Sequence, residues 1–180
     1  MTCGNWLKPR DASNRAYLRE IIMSYDEDAL KRELIRDEGK RLTPYRDSLG
    51  NWTIGVGHLL AGNELARYVD PVTGAVRRTL SEDECGALLI GDICDAEARL
   101  TRLLPAWRGL DAIRQRALLN LSFNLGPRLA RFVNFLFAVE REDWPKATDE
   151  LRDSRWWRQV KSRGPRIAHM IETGTVWEGE

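Results

Sequence analysis

A chain of 180 residues, 43% hydrophobic and 31% charged, is long enough to bury one core without disulfide or metal staples. A net charge of +1 selects no polyanionic partner, and three cysteines (Cys3, Cys85, Cys94) without CxxC spacing exclude a disulfide framework and a zinc site. The first ten residues hold no apolar signal core, and no early run approaches the roughly 20 apolar residues of a membrane span.

Taken in chain order, residues 1–27 read as an extension, with a helix opening at Asp11 to Ser13 and carrying Tyr17, Leu18, Ile21 and Ile22 on one face. Asp26 or Asp28 then caps a second helix with Leu30, Leu34 and Ile35 at helical spacing, and Gly39 stands where a C-terminal glycine ends it. From Arg41 to Leu60 the β-formers Tyr45, Trp52, Ile54 and Val56, broken by Ser48-Leu49-Gly50-Asn51, predict a small antiparallel hairpin or meander. Ser81-Glu82-Asp83-Glu84 is a capping box with Leu80 as its staple. The helix it opens is predicted to run to about Leu104, with Leu88, Leu89, Ile93 and Leu100 inward, until Pro105 ends it. On such a helix Cys85 and Cys94 point in opposite directions and cannot pair, and both read as small hydrophobes. Asp111 to Leu125 is rich in Ala and Leu and apolar nearly all round after Ala117, the pattern of a central buried helix, and Gly126-Pro127 closes it. Further helices are predicted over about 128–140, about 144–153 after Asp143, and about 165–172 with Pro165 in the first turn. The expected class is α+β, mainly α. A β lobe (about 40–62) and a helical lobe (about 105–177) are joined by one long helix (about 81–104), with a cleft between them.

The densest chemistry lies between Arg36 and His58. Glu38 ends a helix, Asp47 follows in a loop, and Thr53 sits in a strand-like run. Two carboxylates and a water-holding hydroxyl equip a site for acid/base hydrolysis of a glycosidic bond. Each also has a plainer use, as a surface charge, a turn cap and a strand-former respectively. Gly55-Val56-Gly57-His58 lacks the third glycine and the following helix of a dinucleotide site. His58 and His169 stand without a matching ligand cluster, so no metal is expected. The charge is unevenly spread, about −3 over residues 1–100 and about +4 over 101–180. Arg152, Arg155, Arg158, Lys161, Arg163 and Arg166 face one acid, Asp153, which suits either a polyanion or a solvated helix face. Seven tryptophans are many for this length, and although tryptophan often lines sugar sites it is more often core, so they add little to the sugar reading.

The stretches Leu34-Ile35-Arg36-Asp37-Glu38-Gly39, Tyr45-Arg46-Asp47 and Gly50-Asn51-Trp52-Thr53-Ile54-Gly55-Val56-Gly57-His58 resemble the active-site region of the T4-type phage lysozymes, the muramidase family of phage endolysins. Asp111 to Asn120 with Phe123-Asn124-Leu125-Gly126 resembles that family's central helix. Ser154-Arg155-Trp156-Trp157, Arg163 and Thr173-Gly174-Thr175 resemble its C-terminal signature. The resemblance spans roughly residues 29 to 177, with several motifs in order.

The resemblance implies a lysozyme-like fold over residues 28–180 and hydrolysis of the β-1,4 bond between N-acetylmuramic acid and N-acetylglucosamine. It makes Glu38 the general acid, with Asp47 and Thr53 holding water on the opposite sugar face for an inverting reaction. Arg163 aligns with an arginine set against the acid, and Leu59, Phe123 and Asn124 with the substrate cleft. His58 and Asp92 align with a structural ion pair between lobes. It implies no cofactor, a monomer, bacterial peptidoglycan as partner and no nucleic acid. With no signal or membrane anchor visible, the expected location is the host bacterial cytoplasm, until a separate pore former gives access to the wall. Two other readings stay open. A lytic transglycosylase needs one glutamate and no water-activating base. A non-catalytic module binding peptidoglycan or nucleic acid would use the Arg152–Arg166 cluster.

Overall fold

A computed structural model describes residues 25–178. The helix expected from Asp11 to Ser13, with Tyr17, Leu18, Ile21 and Ile22, lies outside the described residues, as does Cys3. Helix α1 (Glu27–Glu38) is capped by Asp26, whose carboxylate accepts from the Ala29 N–H at 2.8 Å. Leu30 and Leu34, one turn apart, are buried, whereas Ile35 remains 37% exposed because it lies about 100° round the helix from Leu34. Gly39, with φ 77°, stops the helix at Glu38 while its N–H reaches the Ile35 carbonyl at 2.9 Å.

Strands β1 (Arg41–Arg46), β2 (Trp52–Gly55) and β3 (His58–Leu59) form an antiparallel sheet in the order β1-β2-β3. Tyr45 pairs with Thr53, which also pairs with Leu59. The register slips between Arg41 and Tyr45, a stretch in which Pro44 has no N–H to give the ladder. Helix α2 (Gly62–Tyr68) follows, an element without a sequence signal: it has no side-chain cap and buries no residue.

Helix α3 (Glu82–Leu103) opens on the full capping box: Glu84 N–H donates to Ser81 Oγ at 3.1 Å and Ser81 N–H to Glu84 Oε2 at 2.8 Å. Leu80 is buried beside it, and Leu89, Ile93 and Leu100 face inward, with Leu88 partly buried. Cys85 is buried and Cys94 exposed, so the reading of both as packed hydrophobes holds for Cys85 alone. Both are free thiols, on opposite sides of the helix.

A short 3₁₀ turn (Pro105–Gly109) leads to α4 (Ala112–Leu125), capped by Asp111 through the Ile113 and Arg114 N–H groups. Every residue from Gln115 to Ser122 is buried. The single helix expected over about 128–140 is instead two elements, a 3₁₀ helix (Gly126–Arg131) and α5 (Val133–Glu140). Pro127 lies in the first turn of the 3₁₀ segment, and Phe132, with φ −88° and ψ 53°, breaks the path between the two. Helix α6 (Trp144–Arg152) is capped by Asp143, and α7 (Arg155–Gln159) by Ser154. Helix α8 (Arg163–Thr173) starts two residues before Pro165. The architecture is α+β and mainly α. α4 is packed among α1, α3 and α8, while the sheet leans on α3. Trp107, Leu118, Leu121, Phe135 and Leu151 are fully buried large side chains of the helical core. A buried ion pair, Arg116 Nε to Glu33 Oε1 at 2.9 Å, crosses from α4 to α1.

Candidate active site

Glu38 is the last residue of α1, and the turn at Gly39 leaves its side chain in a cavity of about 610 Å³. Asn124 from α4 and Arg163 from α8 line the same cavity. Arg163 donates to Glu38 Oε1 through a terminal guanidinium nitrogen at 2.5 Å, and Asn124 Nδ2 donates to the same oxygen at 3.2 Å. The Asn124 amide cannot turn over without loss, because its Oδ1 accepts from Trp156 Nε1 at 2.7 Å. Among the described residues no protein group donates to Glu38 Oε2, and 22% of the side chain stays exposed. Gly57, with φ 73°, supplies the room: a Cβ there would stand 3.3 Å from Oε2.

Arg163 is itself buried and doubly braced. Its Nε donates to Asn120 Oδ1 at 2.8 Å and a terminal nitrogen to the Asn120 carbonyl at 3.3 Å. Asn120 Nδ2 in turn donates to Asp37 Oδ2 at 3.3 Å. Asp37, with 2% of its side chain exposed, accepts further from Arg36 at 3.2 Å and from Arg166, and it lies 3.5 Å from Arg163 Nε. Sequence reasoning assigned no role to Asp37, Asn120 or Trp156, and it read Arg166 only as one cation of the basic cluster, whereas Arg166 is turned onto Asp37. Asn120 and Asn124 carried a signal nonetheless: two amides one turn apart in the mostly apolar stretch after Ala117 need partners.

Asp47 closes the β1–β2 turn. Its Oδ1 accepts from the Leu49 and Asn51 N–H groups at 2.9 and 2.7 Å, and Oδ2 from Asn51 Nδ2 at 3.1 Å. Partial desolvation opposes its charge, but the hydrogen bonds from Asn51, Leu49 and Gly50 outweigh it and hold the carboxyl below its usual range. Thr53 is 5% exposed, and its hydroxyl donates to the Asn51 carbonyl at 3.3 Å. Neither Asp47 nor Thr53 lines the Glu38 cavity, although Ser48, next to Asp47, does.

Leu59, Phe123, His58 and Asp92 come together in a second cavity of about 250 Å³, with Gly57, Asp95 and Arg99. Gly57 thus borders Glu38 on one side and this space on the other. His58 Nδ1 meets the two Asp92 oxygens at 2.9 and 3.0 Å, and Nε2 meets Glu64 Oε2 at 3.2 Å. The Asp92 hydrogen bond, working against burial, raises the imidazole from 6.5 to about 9. A further cavity, about 330 Å³ between α5 and α6, holds none of the catalytic or substrate-binding candidates named from the sequence. Among the described residues, no His/Cys/Asp/Glu group is arranged to hold a metal, and no helix is long and apolar enough to cross a membrane.

A small antiparallel sheet, a long linking helix, a helical lobe and a cleft carboxylate held by an arginine define a lysozyme-like protein. The Phage lysozyme family matches residues 36–170, and the chain belongs to that family. It is 30% identical over 165 residues to "Probable T4-type lysozyme 2" of Dictyostelium discoideum, covering 83% of this chain and 97% of that protein. It is 29% identical over 163 residues to "Probable T4-type lysozyme 1" of the same organism, covering 82% and 96%. The "Pre-baseplate central spike protein Gp5" of Enterobacteria phage T4 is 32% identical over 157 residues, 79% of this chain. The chain spans only 27% of that protein's length. Family and relatives together support a lysozyme function, that of a glycoside hydrolase.

Proposed function

We propose that the chain is a muramidase that hydrolyses the β-1,4 bond between N-acetylmuramic acid and N-acetylglucosamine of bacterial peptidoglycan, with inversion, in the service of host cell lysis. One observation carries the reading: both donors to Glu38 converge on Oε1, and Oε2 is left to the cleft. A proton on Oε2 can pass to the glycosidic oxygen as the bond to the anomeric carbon breaks. Arg163 and Asn124 then stabilise the carboxylate that remains. On the opposite sugar face a water attacks the anomeric carbon and yields its proton to Asp47. Because Thr53 gives its own hydrogen to Asn51, its oxygen is free to accept from that water. Inversion calls for carboxyl groups roughly 6.5–9.5 Å apart with the water between them. Arg163 bears on Glu38 as a positioning residue.

The test is turbidity loss of outer-membrane-stripped Gram-negative walls, wild type beside Glu38→Gln, with released ends read by mass spectrometry and anomeric configuration by NMR. Clearing by wild type alone, with reducing muramic ends of inverted configuration, is expected. Anhydro-muramoyl ends would make the protein a lytic transglycosylase. A folded wild type that binds walls without clearing them would leave a binding module.

A further inference from the structure

Six cations lie between Arg152 and Arg166, and the proposed chemistry uses them only in part. Arg152 is taken up by Asp149 at 3.0 Å and Glu172 at 2.9 Å. Arg163 and Arg166 are spent on Asp37 and Glu38. The side chains of Arg155, Arg158 and Lys161 have no ion pair or hydrogen bond among the described residues. Of these three, Lys161 lines the cavity that holds Glu38. Its backbone sits in the left-handed region, φ 46°, which a non-glycine residue adopts only at a cost of about 1 kcal/mol. The turn that carries it runs straight into Arg163, so the cation at the cleft and the hold on Glu38 belong to one short segment.

Arg36 lines the same cavity from α1, and 52% of its side chain is exposed. Only its Nε is engaged, by Asp37 at 3.2 Å. The cavity therefore counts four cations (Arg36, Lys161, Arg163, Arg166) against two carboxylates, Asp37 and Glu38, both already bonded to arginine. The surplus is positive, and it grows when Glu38 carries a proton. A neutral glycan leaves this charge unused.

We infer that Lys161 and Arg36 form an anion-reading edge of the cleft, and that the anion is a carboxylate on the peptide stem of the glycan. This rests on peptidoglycan being the substrate. A stem carboxylate meets two exposed or half-exposed donors there, a contact of the charge-assisted kind that salt weakens. Lys161 and Arg36 then act in selecting the substrate, by affinity.

The test is calorimetric binding of soluble disaccharide-peptide, a hydrolysis product, beside the same molecule with its carboxylates converted to methylamides. Wild type, Lys161→Gln, Lys161→Arg and Arg36→Gln are compared at low salt. Wild type is expected to bind the carboxylate form about tenfold more tightly, the scale of one such contact. Lys161→Gln should reduce that preference to about twofold, and Lys161→Arg should restore it. Equal binding of both forms by wild type, or an undiminished preference in Lys161→Gln, overturns the inference. So does a short oligonucleotide binding more tightly than the disaccharide-peptide through the same lysine, which would make the anion a phosphate. Because the readout is binding, failure to clear walls would overturn the muramidase reading without touching this preference.

Discussion

Replacing His58 by asparagine deletes the titrating ring that ties the sheet to α3. His58 meets Asp92 at 2.9 and 3.0 Å and Glu64 at 3.2 Å, and Asp95 and Arg99 line the same cavity. Only 18% of the His58 side chain is exposed, and the Asp92 hydrogen bond lifts its pKa from 6.5 to about 9. At 1.36 kcal/mol for each tenfold change in protonation, that corresponds to about 3 kcal/mol of folding free energy. Glu64, 40% exposed, contributes a screened and smaller share. The folded pKa is raised, so the stabilisation is present in full below pH 6.5 and is lost as pH rises through 9. Urea unfolding of wild type and His58→Asn across that window measures it. The gap between the two proteins should narrow by about 3 kcal/mol on the alkaline side, with unchanged m-values. A gap that stays constant from acid to alkaline pH would refute the pair as a source of stability.

Gly57→Ala should leave a folded protein with much reduced wall clearing. The new methyl would stand 3.3 Å from Glu38 Oε2 at a φ of 73°, and denaturation should show a loss of about 1 kcal/mol. Arg116→Met alone should cost about 3 kcal/mol, because it leaves the Glu33 carboxylate buried without its cation. The double variant Glu33→Met/Arg116→Met should recover most of that loss, as a thermal-melt cycle will read. Leu118→Ala, in the fully buried middle of α4, should cost about 2–5 kcal/mol by the same method, with the spread set by how far the neighbours close in.

Helix ends were readable because their chemistry is local. Asp26, Ser81, Asp111, Asp143 and Gly39 each act within four residues of themselves. Helices α2 and α7 escaped for a complementary reason. The first buries nothing, and the second, at five residues, is too short to show a period. Cys94 was misjudged because residue type was weighed above position on the helix: its neighbour Ile93 is turned inward, and Cys94 therefore is not. At the site, the sequence marked Glu38 and Arg163 through family resemblance, whereas the braces behind them lie in pairings between distant segments. Asp37 meets Asn120 across 83 positions, and Trp156 meets Asn124 across 32. No periodicity reports such partners. Two amides in the mostly apolar half of a helix state only that partners exist. Where Asp47 and Thr53 lie relative to Glu38 depends likewise on how the sheet sits against the helices, and no local pattern encodes that.

Glu38 and the arginine that aims it are 125 positions apart, and α8 is the last helix among the described residues. A chain still being translated, or one released before α8, has the carboxyl but lacks the cation that points it. On the proposed mechanism the order of synthesis delays the chemistry: the acid is made early and armed late. Truncation just before Arg163 leaves a product with most of the residues of the cleft, and with Asn124 as the one remaining donor to Glu38 among the described residues.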